Sequence, residues 1–342
     1  MKSVRILRPG VVRLTEEEIP VPKQGEALIR MRRVGICGTD HNIFRGEFSE
    51  RVNFPLRPGH EWSGEIAALG ENAAGYSVGD CVTGEAMVAC GKCPDCIRGD
   101  KYACRFRRSV GTVNAWDGAM CEYFVFPVRD LLPLGGNTDL DAAAMVEPAS
   151  NALMGVEGAG IRVGSTVAVM GTGPIGLAAV AIARIYGAAT VISVGRSEYK
   201  LEIARGLGAT HTVNTKNEDA AERILEITGG LGVDASLEIS GAETLFRAAI
   251  KSTRKQGSIV LIGFHDHPIT LNLNDLIFPL FTIKGAGGGW GGYAPKVLRL
   301  MDRGVLNLDV LITQRCTLDE APGWIENLKT DSARTVKVMI CG

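Results

Sequence analysis

The chain carries no excess of charge. Over 342 residues, 37 Lys and Arg stand against 38 Asp and Glu, a formal balance of −1, so the basic footprint that nucleic acid or an anionic membrane attracts is missing. Other absences narrow the field further. The opening, MKSVRILRPGVVRL, has no apolar core of signal-peptide length, and the ending, TVKVMICG, has no retention or lipidation signal, which leads us to expect a cytoplasmic protein. No 20–50-residue repeat and no low-complexity tract occurs, which excludes solenoids and arrays. The longest uncharged run, TVAVMGTGPIGLAAVAIA from Thr166 to Ala183, approaches membrane-spanning length, but the glycines and proline inside it call for another explanation. A 46% hydrophobic content with 22% charged residues describes an ordinary globular chain, long enough to bury two cores.

Residues 1 to about 150 read as short β segments punctuated by Gly and Pro, among them EALIRMRRVGI, EWSGEIAALG and CEYFVFP, and predict an irregular antiparallel β domain. From about residue 160 strand and helix alternate: TVAVM, PIGLAAVAIARIYGA, TVISV, EYKLEIARGLGA, DASLEI, AETLFRAAIKSTR, SIVLIG. That alternation predicts a parallel sheet covered by helices on both faces. A helix is expected over APKVLRLMDRGVL. The closing strand RTVKVMI has no partner in the α/β array, so the C-terminal part is expected to return to the first domain.

The uncharged run then has a reading. In VAVMGTGPIG, Gly171, Gly173 and Gly176 follow a predicted strand and open a predicted helix, with Pro174 and Ile175 at the helix start. Gly171 permits the tight turn, Gly173 lets the backbone approach a pyrophosphate, and Gly176 allows close helix packing. The free N–H groups of the helix start face the phosphates. What the sequence lacks about twenty residues later selects the cofactor. In VGRSEYK, Gly195 stands where NAD binders carry an acid that holds the ribose 2′-hydroxyl, and Arg196, Ser197 and Lys200 offer partners to a 2′-phosphate. The chain is therefore expected to prefer NADP(H) over NAD(H). The competing reading makes Arg196 a solvated surface cation and leaves the ribose to Glu198.

Cysteine is sparse outside one cluster. Four of nine fall in CGKCPDCIRGDKYAC, where Cys90, Cys93, Cys96 and Cys104 have the spacing of a closed tetrahedral zinc site. An iron–sulfur cluster is the rival, but the ferredoxin run has a different last spacing and a second run, which is missing. A closed site leaves no position for substrate, so chemistry must lie elsewhere. Candidates are Cys37 in GICGTD, His60 and Glu61 in PGHEW, and Glu147 in MVEPAS. Each is weak singly; together a thiolate, an imidazole and a carboxylate make the open kind of site zinc uses in catalysis.

GICGTD, GHEWSGEIAALG, the four-cysteine lobe, EPAS and GTGPIG occur in the order of the zinc-dependent medium-chain dehydrogenase/reductase family, which the chain resembles over essentially its whole length. The acids of GHE and EP make it most similar to the polyol (sorbitol) and threonine dehydrogenase branch. The resemblance implies an α/β protein with a GroES-like β-rich catalytic domain, 1–150 with 295–342, and a doubly wound Rossmann domain, 151–294. It also implies two zinc ions per chain and a homodimer or homotetramer. Cys37 and His60 look like ligands of the catalytic zinc, Glu61 like a third ligand, and Glu147 like a ligand or the holder of the zinc-bound water. Thr39 matches the hydroxyl that passes on the proton. A relay histidine is lacking: Asn42 stands at its place and His41 one residue earlier. Also lacking is the Arg-Tyr pair by which polyol dehydrogenases grip substrate. KGAGGGWGGY stands there, and Trp290 or Tyr293 are the candidates to line the pocket.

The expected activity is hydride transfer between NADP(H) and a secondary alcohol of a polyol, cyclitol, sugar or amino alcohol, giving the ketone. Two rivals remain open at this point: a zinc-free quinone or enoyl reductase of the same fold, and a non-catalytic binding protein that keeps it.

Overall fold

The computed structural model describes residues 1–265, 267–287, 292–330 and 332–342. The chain forms two compact units. One comprises residues 1–147 together with the C-terminal segment, the other runs from Pro148 into the 280s.

The first unit is built on a seven-stranded sheet. Along its path run Leu131–Pro133, Cys81–Gly84, Glu61–Leu69, Glu26–Ile36, Lys337–Cys341 and Ile312–Cys316, with Tyr123–Pro127 also paired to Glu26–Ile36. The closing strand does return to this unit, Val338 lying opposite Ile36 in an antiparallel pair. Trp62, Phe124 and Phe126 fill its interior, the indole meeting the two phenyl rings edge-on at 4.8 and 5.1 Å. Alternation along the strands sends these rings inward. Gly84 leaves the space they use, since a Cβ there would come within 2.7 Å of Trp62 and 2.8 Å of Phe126.

The second unit is a six-stranded parallel sheet. Its order is His211–Asn214, Thr190–Gly195, Thr166–Met170, Val233–Glu238, Thr253–Leu261, Thr282–Gly285. In sequence rank that is 3-2-1-4-5-6, the doubly wound Rossmann order, with its topological switch point between Thr166–Met170 and Val233–Glu238. The strands Thr166–Met170 and Thr190–Gly195 carry no charge, are mostly apolar and are almost wholly buried, as both-face coverage requires. The uncharged run resolves into the first of these strands and the helix Pro174–Ile185. Among the described residues, no helix is long and apolar enough to cross a membrane.

Candidate active site and metal centres

The register of two strands assembles the first cluster. Glu26–Ile36 pairs antiparallel with Glu61–Leu69 so that Gly35 lies opposite Glu61. Cys37, just past the end of one strand, therefore meets His60, just before the start of the other. One ligand atom from each of Cys37, His60 and Glu61 lies within 4.8 Å of the others. Gly35 is required for this: a Cβ at 35 would fall 2.2 Å from the Glu61 Oε2. Cys37 caps the short helix Gly38–Phe44, and Asp40 in its first turn accepts the Cys37 N–H at 2.8 Å, fixing the thiol's backbone. The Thr39 hydroxyl is 3.7 Å from the Cys37 sulfur.

Two participants were not visible in the motifs. Lys337, the first residue of the closing strand, is 2% exposed and extends Nζ to 2.5 Å from Glu61 Oε2, also donating to the Ile36 carbonyl at 3.2 Å. Burial works against its charge, but Glu61 first, then Cys37 and Glu147, outweigh it and raise its pKa above the ordinary lysine value. Asp40 is wholly buried. Its Oδ1 has no hydrogen-bond partner and lies 3.8 Å from His60 Nδ1, itself unpartnered. Burial lifts the Asp40 pKa, with His60 opposing. His60 is also buried, yet Cys37 above all, with Asp40 and Glu147, overcomes the desolvation and lifts its pKa well above the usual value.

These groups fit a divalent cation. Asp40, Glu61, Glu147 and the Cys37 thiol face a single lysine, so the cluster holds more potential negative charge than Lys337 neutralises. The donor set of thiol, imidazole and carboxylate is one that zinc accepts, with Asp40 behind His60 in the position of an orienting carboxylate. Glu147, half-buried in the first turn of the helix Val146–Gly158, acts electrostatically on both His60 and Lys337.

Around this cluster the helix Gly38–Phe44 holds the other candidates. His41 is buried, its Nδ1 2.8 Å from the Ile325 carbonyl and its ring 6.3 Å from that of Phe44. Asn42 accepts from Lys329 Nζ at 3.3 Å. Tyr293 opens the helix Tyr293–Asp302, with Lys296 Nζ 5.0 Å above its ring; Trp290 lies outside the described residues.

The second cluster is Cys90, Cys93, Cys96 and Cys104, all four sulfurs within 4.8 Å of one another. Sulfur separations of 3.5 Å for Cys93–Cys96 and 3.9 Å for Cys90–Cys96 match the edge of about 3.8 Å that a tetrahedron of thiolates at the Zn–S distance would have. The short helix Pro94–Ile97 sets two of the cysteines three residues apart across its start. The Lys92 and Cys93 N–H groups pull the Cys90 thiol down to about 6, despite desolvation, so a thiolate is available for a metal; burial pushes Cys96 up to about 12. The site is closed by its own four sulfurs and offers nothing to a substrate.

In the parallel-sheet unit, Gly171 has φ +124°, a conformation that favours glycine. A Cβ on Gly176 would lie 2.0 Å from the Gly171 carbonyl oxygen, so the helix packs directly on the turn. Gly173, the N-cap of Pro174–Ile185, has nothing within 4 Å of where a Cβ would be, which is the open backbone a phosphate needs. Pro174 and Ile175 form the first helical residues, both half-buried. At the end of Thr190–Gly195, a Cβ on Gly195 would sit 2.6 Å from the Thr172 hydroxyl, so the glycine loop itself excludes a side chain there. Arg196 is exposed. Ser197 caps the helix Glu198–Gly206 by accepting the Lys200 N–H. Glu198 is engaged by Asn214 at 3.1 Å and Arg205 at 3.0 Å, which lower its pKa and occupy the carboxylate that the competing reading would give to a ribose.

The chain is similar to known proteins along its whole length. The alcohol dehydrogenase GroES-like domain matches residues 23–136 and the zinc-binding dehydrogenase family matches residues 174–303. An L-threonine 3-dehydrogenase of Bacillus licheniformis is 33% identical over 330 residues, spanning 94% of this chain and 93% of its own. A structure described as a zinc-binding dehydrogenase, from Sinorhizobium meliloti and bound to NADP, superposes with a TM-score of 0.92 at 30% identity, covering 100% of this chain and 99% of the other. An alcohol dehydrogenase from Escherichia coli complexed with NADH reaches 0.92 at 27% identity, covering 100% and 99%.

Proposed function

The chain belongs to the zinc-dependent medium-chain dehydrogenase/reductase family and is an NAD(P)-dependent zinc alcohol dehydrogenase; from that premise we propose that it oxidises a secondary alcohol with NADP⁺, or reduces the ketone with NADPH. The substrate class is a polyol, cyclitol, sugar or amino alcohol. Among these the amino alcohols come first, because the curated relative is an L-threonine 3-dehydrogenase. The observation that carries the reading is the convergence of Cys37, His60 and Glu61 within 4.8 Å. A zinc-free reductase would leave that buried donor set without a task, and a non-catalytic protein would have no need of it.

Cys37, His60 and a carboxylate of Glu61 or Glu147 would hold zinc, which would supply a Lewis acid for the alcohol oxygen, and a bound nicotinamide would supply the hydride acceptor. The protein's own part is to hold and move the rest. The C–H bond gives up its electron pair with the hydrogen as hydride, and the O–H proton passes to the Thr39 hydroxyl, which hands it toward solvent. Asp40 keeps the Cys37 backbone in position and sets a carboxylate facing the His60 ring, and Lys337 restrains Glu61. Gly171, Gly173 and Gly176, with the N–H groups of the helix start, hold the pyrophosphate. Gly195 leaves the adenosine ribose without a carboxylate, and Arg196, Ser197 and Lys200 favour a 2′-phosphate. Cys90, Cys93, Cys96 and Cys104 hold a second, structural zinc.

We read residues 1–150 with 295–342 as the catalytic domain and 151–294 as the dinucleotide domain, in a cytoplasmic homo-oligomer. Supporting self-association, Thr282–Gly285 is an exposed edge strand, with Leu273, Phe278 and Leu280 nearby at 66, 76 and 64% exposure. The test is a panel of L-threonine, other amino alcohols, polyols and cyclitols, each offered with NADP⁺ and NAD⁺ and followed by nicotinamide absorbance. Reduction of the dinucleotide by at least one secondary alcohol, lost with the metal, supports the reading. Full activity in metal-free protein would refute it.

A further inference from the structure

Glu238 has no role in the reaction as described, yet it is one of the few carboxylates in the protein with no solvent exposure. It ends the strand Val233–Glu238, directly opposite Met170 of Thr166–Met170, and so stands at the switch point of the parallel sheet. A buried carboxylate must be satisfied or it destabilises the fold. This one is satisfied wholly by the loops that leave the sheet edge. Oε1 accepts from the Ser240 N–H at 2.9 Å, the Ser240 hydroxyl at 2.5 Å and the Gly241 N–H at 3.1 Å. Oε2 lies 3.3 Å from the Gly241 N–H and 3.3 Å from His265 Nε2. The Glu238 backbone carbonyl accepts from Ile262 and Gly263.

The consequence is a knot between the loop after Val233–Glu238 and the loop after Thr253–Leu261. The two run backbone against backbone: a Cβ on Gly263 would lie 2.3 Å from the Gly241 nitrogen, and one on Gly241 would lie 2.0 Å from the Phe264 oxygen. Gly241 also needs its φ of +71°. On its other side the knot touches the glycine loop, since the Ser240 nitrogen and side chain are the nearest neighbours, at 3.2–3.3 Å, of a Cβ on Gly171. Any shift of Ser240 therefore reaches the turn that carries the pyrophosphate.

We propose that Glu238 is a positioning residue for the dinucleotide: by turning the Ser240 and Gly241 N–H groups inward and tying His265 to the same carboxylate, it fixes three loops of the sheet edge in the shape that receives the cofactor. It belongs to the parallel-sheet unit, whereas the ligand atoms of both metal clusters belong to the other. The inference rests on the dinucleotide reading above.

The test is titration of the zinc-loaded protein with NADPH, followed by nicotinamide fluorescence, for wild type and Glu238→Gln, with zinc content and Tm measured on the same samples. The amide keeps the volume but replaces one acceptor oxygen by a donor facing Gly241 or His265. Loss of one bond to a charged acceptor predicts dissociation about tenfold weaker or more, at wild-type zinc content, with KM for the dinucleotide raised and kcat changed little once it is saturating. Glu238→Gln that binds NADPH as wild type does would overturn the proposal. If Glu238→Gln lowers Tm markedly, Ser240→Ala, which removes the hydroxyl's bond to the carboxylate and its acceptance of the Ala242 N–H but leaves the carboxylate, decides instead: affinity reduced about threefold or more supports the proposal, and unchanged affinity overturns it. Wild type that binds neither NADPH nor NADH would instead overturn the dinucleotide reading itself, and this inference with it.

Discussion

Lys337→Met should destabilise the first unit, and Glu61→Gln should repair much of the damage. The two side chains are 2 and 1% exposed and joined at 2.5 Å. Methionine fills the space of the lysine stem but removes the charge, leaving Glu61 as a buried carboxylate without its cation. Breaking such a pair from one side costs about 3–5 kcal/mol. For a unit of this size that corresponds to a fall in Tm of roughly 6–20 °C. Removing the second charge as well leaves a neutral amide beside an apolar side chain, so the double variant Lys337→Met/Glu61→Gln should lie within about 1–2 kcal/mol of wild type. Saturating zinc should raise the Tm of Lys337→Met by more than it raises that of wild type, because the unpaired Glu61 gains a cation. The assay is thermal melting of wild type, both single variants and the double variant, with and without zinc. The sign with pH follows from the raised lysine pKa: the pair's contribution is complete below the ordinary lysine range, near 10.5, and is lost only as pH rises through the higher folded-state value. A Lys337→Met protein as stable as wild type, or a double variant no better than the single one, would refute this reasoning.

Cys93→Ser should lower Tm or solubility before it touches turnover, measured by melting and by kcat on the soluble fraction, because its site closes on itself. Thr39→Val should cut kcat by roughly 10²-fold, the loss expected for a positioned proton transfer, with Tm unchanged. His41→Ala should instead act on stability by about 1 kcal/mol, through the lost bond to the Ile325 carbonyl; an equal loss of kcat would put His41 on the proton route. Arg196→Ala should reduce the preference for NADP⁺ over NAD⁺ in kcat/KM by about ten- to a hundredfold. Adding Gly195→Asp should invert the preference only when Thr172→Ala makes room, given the 2.6 Å contact at that position. Glu17, held down to about 2 chiefly by its hydrogen bonds to Arg5, contributes stability above the ordinary carboxylate range that should disappear as pH falls from about 4.5 to about 2. Glu17→Gln should flatten that part of the Tm–pH curve.

Where local chemistry decides structure, the sequence alone was informative. The Rossmann half follows from the alternation of periods and from glycines whose backbone has one reason to be bare, and the structure returns the strand, turn and helix around Gly171, Gly173 and Gly176. The four-cysteine lobe is similarly local, since all four sulfurs come from fifteen residues. Harder to see were contacts made across the chain. Lys337 is 276 residues from Glu61, and in TVKVMI it reads as one charge in an apolar strand; only the pairing of that strand with Glu26–Ile36 brings it to the cluster. A lysine inside a run otherwise apolar was the available signal. Asp40 was hidden for a different reason: in GICGTD an acid at the third helical position is explained by capping alone, and its nearness to His60 depends on the register of two strands. Thr172 lies between Gly171 and Gly173 with no motif of its own, and its contact with Gly195 joins the glycine loop to the end of the next strand. The helix Val146–Gly158 takes Pro148 into its first turn, where the missing N–H costs nothing.

The central claim is that catalysis belongs to the Cys37, His60 and Glu61 cluster and folding to the four-cysteine cluster. Its most direct test is metal content and turnover measured together on Cys37→Ser. The account predicts about two zinc ions per wild-type chain and one in the variant, on the ligand count of each site, with Tm close to wild type and reduction of NADP⁺ by the best alcohol of the panel abolished. A variant that keeps wild-type turnover, or that loses both metals and unfolds, would contradict it.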